Sequence, residues 1–387
     1  MSKLKSLKNR IVREMYEQGY SLSDLLDAYP NCSLKYLDEM LADSSYGQSR
    51  PVISYGLLSI YPCKSKYFNI SKYRFRINGK MQPWPPERDK ISIFFFGGSA
   101  ALGINIEDKH TIPARLQTIL EKIYPCEVYN FACSSYTLRH EMLRFLDIID
   151  QKIIPDYVVF LDGYNDCYET LNNRVLINAL DLYYQTQKKR YKKLKHWKTL
   201  FDSILFHFID NKRFKLDQFI DIWESSPLDI IKNNKNIYLS NNFINISLKK
   251  DGLQPNEIND FFQNIAKYVW QRYLDSVLII RSICNAKKIK NLFVWQPVPL
   301  YKTRKEHRLM EKLYYIYPYG TITQPVYSWI INNNFPGLNT FSDFLDISMI
   351  AKEIENVCYV DTAHYSPEFC NIIAKKISQK LIKIGLN

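Results

Sequence analysis

From residue 91 onward the chain alternates short, largely apolar runs with longer stretches whose apolar positions recur at helical spacing. The runs are ISIFFF (91–96), CEVYNF (126–131), YVVFLD (157–162), NLFVWQ (291–296) and NVCYVD (356–361). Each is short for a helix and apolar on both sides of the pleat, as a strand buried on both faces of a parallel sheet must be. The intervening pattern predicts helices over about 111–124, 136–150 and 257–287, and a last one from Ser366 nearly to the end. Pro113 suits a first helical turn, and Ser366 followed by Pro367 reads as a cap and first helical position. Such alternation predicts an α/β chain with a parallel five-stranded sheet covered by helices on both faces.

The first 87 residues break this rhythm. Residues 4–43 read as two or three short helices punctuated by Gly19 and Pro30, with Ser21 and Ser33 placed to cap two of them. Residues 45–90 are irregular and proline-rich. The expected organisation is an N-terminal extension at 1–87 and a main domain at 88–387. A helical, basic and aromatic insertion at about 170–256 separates the third and fourth strands.

Composition narrows the function classes. Hydrophobic residues make up 46% and charged residues 24% of 387, the balance of an ordinary globular protein. Net charge is +13, with much of the excess in QTQKKRYKKLKHWK at 185–198. That run reads as a solvated helix face before it reads as a nucleic-acid or membrane patch. The capped helices of 14–41 have a faint helix-turn-helix look, but packing against the main domain is the preferred reading, so a nucleic-acid partner is not expected. The eight cysteines form no CxxC pair, which leaves a zinc site unsupported and suits a reducing compartment. The N-terminus lacks the apolar core of a secretory signal, and no stretch approaches the ~18 apolar residues of a membrane span. A cytoplasmic location is expected.

Ligands of an open parallel sheet gather beyond the carboxyl ends of its strands. After the first run stands Gly97-Gly98-Ser99-Ala100-Ala101-Leu102-Gly103. A serine on such a turn can present a nucleophile, although the same turn could cradle a phosphate. After the second stands Asn130-Phe131-Ala132-Cys133-Ser134-Ser135, small enough to bring a backbone N–H to the same spot. After the third comes Gly163-Tyr164-Asn165-Asp166, whose Asn165 amide can donate to an oxyanion and whose Asp166 reads as a turn or cap residue. After the fifth comes Asp361-Thr362-Ala363-His364, where the carboxylate can take the Nδ1 proton and leave Nε2 as a base.

In this order the four segments resemble the motif blocks of the SGNH (GDSL-like) hydrolase superfamily, over about 88–168 and 288–385. The resemblance implies a three-layer, flavodoxin-like fold. It implies a catalytic set of Ser99, Asp361 and His364 and an oxyanion hole of Ser99, Ser135 and Asn165. Two positions depart from the pattern: Gly98 stands where the family usually has Asp, and Ser135 where it usually has Gly. The implied activity is serine-dependent ester hydrolysis through an acyl-enzyme, with removal of O-acetyl groups from a carbohydrate as the leading substrate class. An O-acyltransferase on a sugar or lipid, and a non-catalytic ligand-binding domain, are the alternatives. No metal or organic cofactor is called for. Tyr164 and Trp295 are the candidates to line the substrate pocket.

Overall fold

The computed structural model describes residues 5, 12–13, 19–48, 51–54, 57–172, 255–301 and 319–386. The basic run at 185–198 and nearly all of the expected insertion lie outside them. Four of the five apolar runs become strands of one parallel sheet: β3 (Ile91–Gly97), β4 (Cys126–Asn130), β5 (Tyr157–Asp162) and β6 (Lys290–Trp295). They follow a two-stranded antiparallel hairpin, β1 (Pro51–Ser54) and β2 (Leu57–Ile60), which forms within the stretch read as irregular.

The fifth strand is not the one expected. NVCYVD at 356–361 contributes only an isolated bridge between Tyr359 and Tyr365. The edge beside β6 is taken by the three-residue β7 (Phe344–Asp346). The 356–361 run is apolar because it is buried, with Val357, Cys358, Tyr359 and Val360 all at 5% exposure or less. Its backbone pairs locally instead, Val360 N–H to the His364 carbonyl and Ser366 N–H to that of Cys358. A buried loop and a buried strand carry the same apolar signature, and the ladder slot was already filled.

The sheet order is β4-β3-β5-β6-β7. Counted from its first strand this is 2-1-3-4-5, the flavodoxin-like order, with the crevice where the order reverses lying between β3 and its neighbours. Alternate residues of each strand feed opposite faces. Ile93, Phe95, Val159 and Val294 join one core, while Phe94, Phe96, Phe160 and Phe293 join the other.

The helices are α1 (Leu34–Gln48), the single turn α2 (Ser99–Leu102), α3 (Ile112–Leu120), α4 (Leu138–Asp150), α5 (Tyr164–Asn172), α6 (Pro255–Lys287), α7 (Tyr319–Asn332) and α8 (Pro367–Lys383). α3 and α8 pack together on the first face; α6 packs with α4, α5 and α7 on the second. The caps fall on the polar residues that flank the periodic stretches. Thr111 accepts the Ala114 N–H at 3.3 Å, with Pro113 in the first turn of α3. Ser366 accepts the Phe369 N–H at 3.3 Å ahead of Pro367. Ser33 accepts from Tyr36 N–H at 3.2 Å at the start of α1, and Ser21 heads a 3-10 helix, Leu22–Ala28.

The N-terminal segment is not a separate body. Leu25, Tyr29, Leu37, Met40 and Leu41 lie in one continuous core with β3, α3 and α8. Arg76 bridges antiparallel to Asn130 at the end of β4, which adds a backbone tie to the edge of the main sheet.

Candidate active site

Ser99 sits where β3 turns into α2. Gly98 holds the N-cap position, and Gly103 closes the turn at φ 85 with its N–H on the Ser99 carbonyl at 3.0 Å. Both glycines before the serine are sterically required. A Cβ on Gly97 would lie 2.4 Å from Ala101 Cβ, and a Cβ on Gly98 would lie 2.2 Å from Asn165 Nδ2. An aspartate at position 98 would meet the Asn165 amide, which occupies that space. Ser99 itself is half-buried.

Asn165 reaches this position from the first turn of α5. The preceding Gly163 has φ 125, and a Cβ there would strike the Trp295 ring at 2.9 Å. The Asn165 amide donates one hydrogen to the Tyr136 carbonyl at 2.8 Å, which leaves its second N–H for another acceptor. Asp166 ties the same turn to the start of α4, accepting from Leu138 N–H at 3.1 Å and Gly163 N–H at 3.2 Å. Between β4 and α4, Cys133 N–H donates to the Gly97 carbonyl at 3.0 Å, so the second loop is anchored to the end of β3. Within that loop Ser135 is exposed and left-handed, at φ 61. That conformation favours glycine over serine.

Asp361 and His364 form a closely paired unit. His364 Nδ1 lies 2.7 Å from Asp361 Oδ2 and 2.8 Å from Oδ1. Asp361 Oδ1 also accepts the backbone N–H of Ala363 at 2.9 Å and of His364 at 2.8 Å. Oδ2 takes a further hydrogen bond, from Asn105 Nδ2 at 3.2 Å. Burial by itself pushes the Asp361 carboxyl up. The His364 charge, its hydrogen bond and the two backbone donors outweigh that and hold the carboxyl below the ordinary aspartate range. His364 Nε2, the atom a general base uses, is buried and makes no hydrogen bond among the described residues.

The structure thus joins Asp361 to His364 and seats Asn165 over the Ser99 turn. It records no hydrogen bond between Ser99 and His364. Catalytic hydrogen bonds of this kind commonly tighten only when substrate is bound.

Of the two expected pocket residues, Tyr164 is half-buried beside Asn165 and stacks on Tyr168 at 6.5 Å between ring centroids. Trp295 is a correction. It is 0% exposed, enclosed by Trp270, Tyr273, Tyr327 and Phe335, and supports Gly163 from within the core. A large aromatic at the last position of a strand buried on both faces packs rather than lines a cleft. Asn105 was not legible in advance, because a single Asn in a loop has no distinguishing spacing. Nor were Glu141 and Asp162, buried carboxyls behind the Asn165 turn, which stand in helical and strand patterns that do not announce them. No group of three or more His, Cys, Asp or Glu among the described residues is placed to hold a metal ion, and no helix among them is long and apolar enough to cross a membrane.

No family model and no curated protein matches the chain by sequence. Among solved structures it is similar to a protein assigned to the lipolytic G-D-S-L family from Desulfitobacterium hafniense, at 11% identity and TM-score 0.33, over 76% of this chain and 100% of that one. It is similar to a carbohydrate acetylesterase family member from Sinorhizobium meliloti at 10% identity and TM-score 0.33, over 76% and 100%. A catalytic mutant of the acetylxylan esterase Axe2 from Geobacillus stearothermophilus is 16% identical at TM-score 0.30, over 77% and 95%. Likenesses this distant say nothing of what the chain acts on.

Proposed function

We propose that this protein is an SGNH-type ester hydrolase in which Ser99 is the nucleophile, His364 the general base and Asp361 its orienting acid. The observation that carries the reading is the Asp361–His364 pair, with Nδ1 between both carboxylate oxygens at 2.7 and 2.8 Å and Nε2 left without a partner among the described residues. A buried carboxylate in that place fixes the tautomer with the proton on Nδ1 and stabilises the imidazolium that forms on proton transfer.

Catalysis then runs in two steps. His364 Nε2 takes the Ser99 Oγ proton as Oγ attacks the ester carbonyl. The oxyanion accepts from the Ser99 N–H, the second N–H of the Asn165 amide and the backbone N–H of Ser135. Collapse expels the alcohol, which takes the proton from His364, and leaves Ser99 acylated. Water, deprotonated by His364, attacks the acyl group and releases the acid and free Ser99. No step needs a metal.

The substrate class we propose is an O-acetyl ester of a carbohydrate. Tyr164 and Tyr168, i and i+4 on α5, form a stacked pair next to the oxyanion donor Asn165, a flat apolar surface of the kind on which a sugar ring lies. The test is steady-state kinetics on p-nitrophenyl acetate and acetate release from acetylated xylan. Ser99→Ala and His364→Ala are expected to lower kcat at least a thousandfold on both substrates, and Asn165→Ala about a hundredfold. Tyr164→Ala should raise KM for the glycan with little effect on the small ester. Wild-type rates in the Ser99 or His364 variants would overturn the mechanism. Loss of Tyr164 without effect on the glycan would overturn the substrate class.

A further inference from the structure

We propose that Asn105 is a positioning residue of the acid–base pair, holding the Asp361 carboxylate in register with His364, and that the N-terminal segment exists in part to hold Asn105. This rests on the serine-hydrolase reading above.

The two oxygens of Asp361 are held differently. Oδ1 takes both backbone N–H groups of its own loop, whereas the Asn105 amide is a side-chain donor to Oδ2 from another element, at 3.2 Å. Oδ2 is also the oxygen closer to His364 Nδ1. Removal of the Asn105 amide takes away the donor to Oδ2 that comes from outside the loop and leaves that oxygen positioned by the same His364 Nδ1 it has to orient. Asp361 is 3% exposed and Asn105 3%, so water does not readily take the place of that donor.

Asn105 is in turn fixed at every polar group of its backbone by residues from before the sheet. Its N–H donates to Ser44 Oγ at 2.9 Å, and its carbonyl accepts from the Tyr29 hydroxyl at 2.8 Å. Its φ of 62 is left-handed, a conformation asparagine tolerates better than most residues. On either side the loop is clamped by Arg76, whose guanidinium donates to the carbonyls of Leu102 at 2.8 Å, Gly103, and Ile106 at 2.7 Å. Arg76 is 1% exposed and is neutralised by Asp108 at 2.8 Å. Tyr29, Ser44 and Arg76 all precede β3. The titratable groups facing Asp361 are His364 on its own loop and Tyr29 from the N-terminal segment. Burial and then the Asp361 charge push the Tyr29 hydroxyl well above its usual range, so it remains a donor throughout the working pH range.

The experiment compares wild type, Asn105→Ala and Asn105→Asp in full-length protein, with kcat and KM for p-nitrophenyl acetate measured from pH 5 to 9 and folding checked by near-ultraviolet circular dichroism. Asn105→Ala is expected to lose about ten- to a hundredfold in kcat with KM nearly unchanged, the size of one hydrogen bond to a charged group. Asn105→Asp is isosteric and donates only while its new carboxyl is protonated. Its kcat is expected to approach wild type at the acid end and to fall as pH rises, a limb wild type lacks. If Asn105→Ala does not fold, Asn105→Asp carries the test alone. A folded Asn105→Ala with wild-type kcat, or an Asn105→Asp profile parallel to wild type, overturns the proposal. Failure of the underlying reading looks different: wild type itself would show no turnover dependent on Ser99.

Discussion

The most demanding contact in the site is the one between Gly98 and Asn165. An alanine there would bring its Cβ to 2.2 Å from Nδ2, and the opposing atom is a tethered amide rather than the loose end of a long side chain. Gly98→Ala is expected to displace Asn165 and cut kcat for p-nitrophenyl acetate by about a hundredfold, the loss of one oxyanion donor, with KM little changed. An unchanged kcat would mean that Asn165 does not act from this position. Single residues were the most legible scale of the sequence. Ser99 and Asn165 each follow a strand of the parallel sheet, whose topology sets both turns at its carboxyl edge, whereas Asp361 and His364 follow a buried loop and were marked by their three-residue spacing. Asn105 was missed and Trp295 misplaced because their surroundings depend on which neighbours fold around them, and spacing does not carry that information.

At the scale of elements, the strands were legible because burial on both faces leaves nothing but apolar residues to read. The same logic failed at 356–361, where a buried loop looks like a strand, and at β7, whose three residues are too few to show a pattern. α4 and α5 carry a feature with a consequence for stability. Glu141 on α4 is 0% exposed and Asp162 at the end of β5 is 2% exposed, and the two carboxyls face each other. They can hydrogen-bond only if one keeps its proton, since two carboxylates offer no donor. Burial, then neighbouring negative charge, pushes both well above the ordinary range. Burial raises Asp166 beside them to about 6, against the lowering effect of the Leu138 and Gly163 N–H donors. Tyr273 and Arg272 of α6 face the same cluster.

Groups whose pKa is higher folded than unfolded bind more protons in the folded state. Their stabilisation is complete below the unfolded value near 4 and is lost as pH rises through the folded value. Glu141→Gln keeps a donor for Asp162 without a proton to lose. Its urea midpoint is expected to decline less than that of wild type between pH 5 and 8. Parallel pH profiles would mean that Glu141 is already ionised in the folded protein. Asp361 acts with the opposite sign: its lowered carboxyl contributes above about pH 4, and that contribution is lost as pH falls through the folded value.

For the molecule as a whole, the sequence suggested an extension followed by a catalytic domain, and the structure fuses the two through one core and one buried cation. Arg76 spans the join, its charge met by Asp108 and its remaining donors by main-chain carbonyls, while its plane lies over the Phe68 ring at 4.2 Å. Arg76→Ala strands Asp108 at 4% exposure without its counter-charge. Breaking a buried pair from one side costs about 3–5 kcal/mol, so the variant's urea unfolding free energy is expected to fall by that amount. A shift under about 1 kcal/mol would contradict the role given to the buried Arg76–Asp108 pair. Packing of the extension against the main domain was the preferred reading of the sequence, but its contacts were not legible, because they join residues 29, 44 and 76 to a loop at 102–106 and no local pattern records pairings so distant. The claim on which everything else depends is that Ser99 is a nucleophile activated by His364. The measurement that tests it most directly is labelling of the purified protein with a fluorophosphonate, followed by peptide mapping. One adduct on Ser99, absent from Ser99→Ala and formed far more slowly in His364→Ala, is the expected result. A folded wild type that takes no label, or takes it at another residue, would contradict it.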